Sequence, residues 1–302
     1  MTQTLSGPYT SLQNAAIATY GDTVKQQFQG EMILRDTVTV DSGILSDTHN
    51  FRAFSKGIAV QHSSSESLTP TGGKHRKVPA QLSNWRAGDY TDLFDEATVG
   101  GNINERAVLA QSDIMAIGRA LDQLIIGALD AAAGVTGQYA ITGNVSVNLG
   151  GSNTGMNVAK LLRAKTYLSR QSAKAATHKL VVSAYQVESM LSELQITSAD
   201  YQTTRALSDN GATLQGSKFF GFDARVLEER AEGGLPFASA DVRLCFAYSS
   251  LAVGLAEGIA PTSRVDFNAD RYSWLSQSVM RAGSAVIDPT GVVAISAYEN
   301  FT

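Results

Sequence analysis

The stretch NINERAVLAQSDIMAIGRALDQLIIGALD, Asn102 to Asp130, decides the fold of this chain. Within it Ala110, Ile114, Ile117, Leu121, Leu124 and Ala128 recur at alternating steps of four and three residues. That spacing puts an apolar stripe on one face of a helix. Asn102 stands three residues before Glu105, a capping-box pair that satisfies orphan amides at a helix start. At about 1.5 Å per residue the helix spans roughly 40 Å, long for one compact domain. Upstream, Phe51 to Asp92 reads as a long polar hairpin with little hydrophobic mass to hold it down. A rigid rod beside a projecting ribbon is a part shaped to touch its neighbours.

Within the ribbon, Phe51 to Gln61 alternates partly through Phe54, Ile58 and Val60, and Lys77 to Trp85 returns as the second strand. Pro79 suits an unpaired edge. The segment between them, His62 to Gly73, is rich in Ser, Pro and Gly and marks a turn or mobile tip. Ten-residue strands would reach roughly 33 Å at about 3.3 Å per residue. Two strands alone are marginal in water, so the ribbon needs a surface to lie on. Residues 1–48 have scattered apolar positions, with a short helix expected in Ala15 to Phe28 and a strand from Met32 to Val40. This segment reads as an arm that needs a partner to become ordered.

Downstream of the rod, Gly134 to Gly155 is a Gly/Asn/Ser-rich passage with one short strand at Val145, Val147 and Leu149. Asn157 to Ser169 is a second amphipathic helix, with Val158, Leu161, Leu162, Lys165 and Leu168 at helical spacing. Lys179 to Ser183 is a buried strand, Ala184 to Gln195 a helix, and Phe219 to Leu227 and Arg243 to Leu255 further strands. Arg271 to Ile287 is a long strand, Asp288-Pro-Thr-Gly291 has the signature of a type I turn, and Val292 to Ile295 returns as a hairpin partner. This mixture implies an α/β or α+β body.

Charged residues are only 17% of the 302, below the roughly 25% usual for soluble domains. Packing against other copies would bury the neutral surface this leaves. The formal net charge of -4 provides no broad cationic field for nucleic acid. Cys245, the single cysteine, sits in an apolar run and reads as a buried small hydrophobe. No apolar run is long enough to span a membrane, and Met1 to Tyr20 lacks a secretion pattern, so the chain is expected to be intracellular when made.

Catalytic signatures are sparse. His49, His62, His75 and His178 lack partners at zinc-site spacing and read as surface or loop histidines. No nucleophile elbow and no phosphate loop occurs. Gly150, Gly151 and Gly155 precede a helix but lack the spacing of a phosphate cradle, and read as a flexible linker. Asp89, Asp92, Asp95 and Glu96 form an acidic cluster, expected to be a solvated turn at a helix start rather than a metal site. No catalytic residue, metal or cofactor is expected. Lys74, Arg76 and Lys77, with His75 between them and Arg86 nearby, form the densest basic patch. Lys74, Arg76, Lys77 and Arg86 are expected to contact carboxylates of an adjacent subunit, with a solvated loop end as the alternative and nucleic-acid binding a weaker third, since Trp85 is the one aromatic nearby. Each exposed pair of that kind contributes about 0–1 kcal/mol, which matters by repetition.

The order of these parts resembles the major capsid protein of tailed bacteriophages, the Hong Kong 97-type α+β fold. Asp89-Tyr-Thr-Asp-Leu-Phe-Asp95, Asn104-Glu-Arg-Ala-Val-Leu-Ala110 and Ala120-Leu-Asp-Gln-Leu-Ile-Ile126 look like the entry to its body and its spine helix. Leu180-Val-Val-Ser183 looks like the entry to its axial domain. Trp274 to Ile295, with Arg281-Ala-Gly283 and Asp288-Pro-Thr-Gly-Val292, looks like the closing peripheral strands. The resemblance implies an N-terminal arm over 1–48, an extended loop over 49–92, and a peripheral domain with the spine helix over 93–176. An axial domain over 177–262 and a return to the peripheral domain over 263–302 complete it.

It also implies a non-enzymatic, self-assembling virion component. Such a protein forms hexamers and pentamers of an icosahedral head around double-stranded DNA, with no sequence-specific binding and no membrane. Assembly would take place in the host cytoplasm with a separate scaffolding protein, a portal and cement or decoration proteins as partners. An encapsulin-like compartment shell is the alternative of related kind, and an α/β enzyme the alternative of a different kind. Lys56, Lys74 and Lys77 are loop lysines, but no cross-link partner is assignable to them.

Overall fold

The structure, a computed structural model, describes residues 29–57, 59, 61, 67, 73–92, 105–137, 139–171, 177–192, 218–230 and 233–299. The helix expected over Ala15 to Phe28, the cap at Asn102, His62, Asp95, Glu96 and most of the ribbon tip lie outside them.

Two sheets and one long helix organise the body. The helix α1 covers Glu105–Ala133, 29 residues or roughly 43 Å. Its buried large apolar positions are Ile117, Leu121, Ile125, Ile126 and Leu129, and the acidic Asp122 is buried among them. The expected stripe is therefore corrected: Ala110, Ile114, Leu124 and Ala128 are only half-buried. The helix packs on the first sheet through β12, β4 and β11, and its buried positions from Ile117 to Leu129 join the main core.

The first sheet has the order β1-β11-β12-β4, formed by β1 (Thr39–Ser42), β4 (Ser83–Asp92), β11 (Val253–Asn268) and β12 (Ser273–Val286). The antiparallel β11–β12 pair is its backbone, and register shifts around Glu257 to Thr262 bend it. The second sheet is seven-stranded. It comprises β5 (Gly143–Val145), β6 (His178–Ser183), β7 (Lys218–Phe219), β8 (Phe222–Leu227), β9 (Phe237–Ser239), β10 (Val242–Ser249) and β13 (Val292–Tyr298). Its path runs β5-β13-β10-β6-β8-β7, with β9 on β10. Helices α2 (Val158–Arg170) and α3 (Ala184–Ser192) pack with this second sheet. The main core joins the sheets through Leu121, Ile125, Phe246, Tyr248, Leu255 and Ile295, all fully buried.

Several expectations need amendment. Asp288-Pro-Thr-Gly291 does form a tight turn, with the Asp288 carboxylate accepting from the Thr290 amide at 3.0 Å. It does not close a hairpin, because β13 pairs with β10 and β5 instead of β12. Val292 to Ile295 is buried continuously, the pattern of a strand covered on both faces and so one that sits inside a sheet. Arg243 to Leu255 is two strands, broken where Leu251 turns out to solvent at 60% exposure. Met32 to Val40 is a 3-10 turn at Arg35–Thr37 followed by β1, which pairs parallel to β11.

Helix α2 is capped by Asn157, whose Oδ1 accepts from the Lys160 amide at 2.8 Å. However, Leu162 is half exposed and Lys160 is buried. His178 is also buried, its ring 5.8 Å from that of Phe222. The glycine passage before α2 is a hydrogen-bonded turn rather than a loose linker, since Thr154 Oγ1 donates to Val147 O and Leu149 O at 2.9 and 3.0 Å. Strand pairing also runs across two expected domain limits: β11 passes through residue 262, and β13 lies in the sheet of β6 and β10.

Candidate assembly surfaces

The ribbon is the antiparallel pair β2 (Thr48–Phe54) and β3 (His75–Gln81). The second strand expected over Lys77 to Trp85 is divided at Leu82, which is buried, so the last residues belong to β4. Seven-residue strands reach roughly 23 Å rather than 33 Å. Alternation assigns the two faces. His49, Phe51, Ala53, Arg76, Val78 and Ala80 turn inward, while Asn50, Arg52, Phe54, His75, Lys77 and Pro79 turn outward.

The inward face is anchored to the chain's own body. Phe51, Val78, Ala80 and Leu82 form a small apolar cluster with Ala256 and Ala285. Two glycines permit the approach. A Cβ on Gly254 would lie 2.6 Å from the Phe51 ring, and one on Gly283 would lie 2.1 Å from the Gln81 carbonyl oxygen. The expectation that the ribbon has nothing of its own to lie on is therefore amended. Its root is packed in cis, because alternation places four apolar side chains on one side.

Of the four basic residues expected to touch a neighbour, Arg76 points inward, its guanidinium 4.2 Å from the centroid of the Tyr139 ring. Lys74 lies at the end of the described ribbon, where its amide donates to Ser55 Oγ at 2.9 Å and its side chain is exposed. Lys77 is exposed, directly across from Arg52. Arg86 is on β4, opposite Val279 in the first sheet, and is not part of the ribbon. The structure thus places Lys77 beside Arg52, leaves Lys74 across from Ser55 at the end of the described ribbon, and separates Arg86 from them.

The described part of the arm is also held in cis. Leu34 is fully buried, and the Asp122 carboxylate of α1 accepts from the amides of Ile33 and Leu34 at 3.0 and 2.9 Å. Arg230 donates to Asp122 Oδ2 at 3.0 Å and to the Glu31 carbonyl at 3.2 Å. Burial raises the Asp122 carboxyl above its ordinary value, opposed by those two amides and by Arg230. Arg35 adds a bidentate pair to buried Glu257 at 2.8 and 2.9 Å, a hydrogen bond that raises the guanidinium further. The arm from Gln29 onward is therefore ordered by its own body, correcting the expectation that it waits for a partner.

A second buried network braces the seven-stranded sheet. Arg243 donates to Glu299 Oε2 at 2.6 Å, and Gln186 Nε2 donates to Glu299 Oε1 at 3.0 Å. Lys160 Nζ donates to the carbonyls of Thr154 and Ser296 at 2.6 and 3.0 Å. Burial lowers the Lys160 ammonium from 10.5 to about 8 and raises the Cys245 thiol to about 12, so Cys245 is an inert core residue as expected. Lys160, Arg243 and Glu299 lie beneath the surface with bonded partners. Among the described residues no three His, Cys, Asp or Glu side chains are grouped to hold a metal, and Asp89 and Asp92 lie on strand β4 rather than at a helix start. Sequence reasoning missed Asp122, Arg230 and Lys160. The one visible signal was a charge beside the apolar stripe at Leu121, and the partners lie about ninety or more residues away.

A rod-like helix over a long β-hairpin, a second mixed sheet and a projecting two-stranded ribbon define the Hong Kong 97-type capsid fold. Solved structures bear this out. The capsid of cyanophage P-SCSP1u is 13% identical, with 97% of this chain and 96% of that one covered at a TM-score of 0.71. A chain of Mycobacterium phage Che8 is 15% identical over 92% and 96%, with a TM-score of 0.64. The capsid of a native GTA particle is 11% identical over 98% and 100%, with a TM-score of 0.67. No curated protein matches by sequence. The family profile described as phage capsid protein matches residues 12–299, and the chain belongs to that family. It is a structural protein of the bacteriophage virion.

Proposed function

We propose that this chain is the subunit that self-assembles into the hexamers and pentamers of an icosahedral head enclosing double-stranded DNA. The observation that carries the reading is the ribbon, whose root is packed on its own body while its outer face carries Arg52 and Lys77 side by side, with no acidic partner among the described residues. Lys74, Arg76, Lys77 and Arg86 stay in the reading with divided roles. Lys74 and Lys77 reach the neighbour, Arg76 aims the ribbon through Tyr139, and Arg86 serves the open side of the first sheet. The first sheet with α1 and the ribbon would form the peripheral domain, and the second sheet with α2 and α3 the axial one. The net charge of -4 suits a wall that encloses DNA without gripping it. Scaffolding, portal and cement proteins are the further partners in this reading, with assembly in the host cytoplasm.

Purified chain examined by negative-stain microscopy and sedimentation should give megadalton rings or shells. Deleting Ser63 to Gly73 should leave the body folded and abolish closed particles. A wild-type chain that stays a small discrete oligomer under assembly conditions, including added scaffolding protein, would overturn the shell reading. Normal particles from the deletion would remove the ribbon's role.

A further inference from the structure

Among the described residues, nothing covers the outer face of the ribbon. Arg52 and Lys77 lie directly opposite each other in register, and exposed Phe54 packs against His75 with ring centroids 4.8 Å apart. The strands over 48–57 and 73–81 carry no Asp or Glu. Like charges opposed on paired strands disfavour each other, so this face gains from carboxylates supplied by another surface.

The body carries a surface with the complementary charge. Gln29 to Ile33 and Glu228 to Glu229 line an open groove of about 590 Å³. Two arginines serve the carboxylates around it, and each is shared. Arg230 bonds buried Asp122 and also Glu228, which is 37% exposed. Arg243 bonds buried Glu299 at 2.6 Å and reaches Glu229, 61% exposed, only at 3.2 Å. Glu31 is exposed on the same rim. Arg119 touches the rim through Gln29 at 3.2 Å. Among the described residues, even with Arg119 included, the five carboxylates of Glu31, Asp122, Glu228, Glu229 and Glu299 outnumber the three guanidinium groups. The chain's own first 28 residues carry one acid, Asp22, and one base, Lys25, so they have no net charge with which to offset the excess.

We infer that this groove on a second copy of the chain receives the cationic face of the ribbon, with Arg52 and Lys77 meeting Glu31 and Glu229. The inference rests on the shell reading above and adds to it the surface that receives the ribbon. Charge pairs of this kind steer encounter and fix register more than they add affinity, so they should show most clearly in assembly rate and its salt dependence.

A charge swap in the full chain tests it. Reversing the ribbon (Arg52→Glu with Lys77→Glu) or the groove (Glu31→Lys with Glu229→Lys) should each slow particle formation by at least about tenfold, read by light scattering at low salt. The chain carrying all four changes should recover to within about threefold of wild type. Circular dichroism and thermal melting establish that each variant is folded. If the reversed groove does not fold, Glu31→Gln with Glu229→Gln should slow assembly and flatten its salt dependence. Wild-type rates from the groove variants would overturn the pairing, as would failure of the four-change chain when each pair folds. Wild type that forms no particles would overturn the shell reading and the pairing with it, whereas normal shells from the groove variants overturn the pairing alone.

Discussion

Replacing Asp122 by alanine should detach the arm from the spine helix. The carboxylate is fully buried and accepts from Ile33 N, Leu34 N and Arg230 at 3.0, 2.9 and 3.0 Å. Removing it leaves the Arg230 side chain, 1% exposed, with Glu228 as its remaining carboxylate. Breaking one side of a buried ion pair costs about 3–5 kcal/mol, and each amide left without an acceptor about 1–3 kcal/mol. Against this, burial already disfavours the Asp122 anion, and truncation relieves that penalty. A net loss of about 4 kcal/mol is expected for Asp122→Ala, and about 2 kcal/mol for Asp122→Asn, which keeps one acceptor. Urea unfolding of the unassembled subunit measures it. Limited proteolysis should show new cleavage between Gln29 and Val38, and Asp122→Asn with Arg230→Met should be non-additive by about 1–2 kcal/mol. A loss below about 1 kcal/mol for the alanine variant, with the arm still protected, would refute the reasoning.

Two further outcomes follow from close packing and from burial. Gly283→Ala would drive a methyl to 2.1 Å from the Gln81 carbonyl oxygen, a backbone atom that cannot swing aside. It should cost about 1–3 kcal/mol and speed hydrogen exchange across His75–Gln81, and unchanged exchange there would count against the close approach. Lys160, lowered to about 8 in the folded state against an ordinary 10.5, is charged in both states below pH 8. Between pH 8 and 10.5 the unfolded chain holds the extra proton, so stability should rise with pH relative to Lys160→Met, by up to about 3 kcal/mol. A flat difference curve would show that the ammonium is not buried.

Patterns with a local cause were readable from the residues. The α1 spacing, the Asn157 cap, the Asp288-Pro-Thr-Gly291 turn and the buried run at Leu180 to Val182 each depend on neighbours a few positions away. The basic patch was readable as composition only, since nothing local says that Arg76 turns in towards Tyr139 while Lys77 turns out. The ribbon's anchorage was missed because Phe51 and Val78 find their cover at Ala256 and Ala285, far along the chain. The Asp288 turn teaches the same point. Its geometry belongs to four residues, but the partner of β13 was chosen by burial on both faces, a property of the assembled sheet.

The rod, the ribbon, the shortage of charge and the order of elements are written in the residues themselves, because periodicity and turn chemistry act over a few positions. Which side of the ribbon is free, the clamp of Asp122 and Arg230 on the arm, and the passage of the last strand from the long hairpin to the second sheet emerge with the folded body. Those outcomes depend on contacts between residues distant in the chain, where burial and desolvation set the energies.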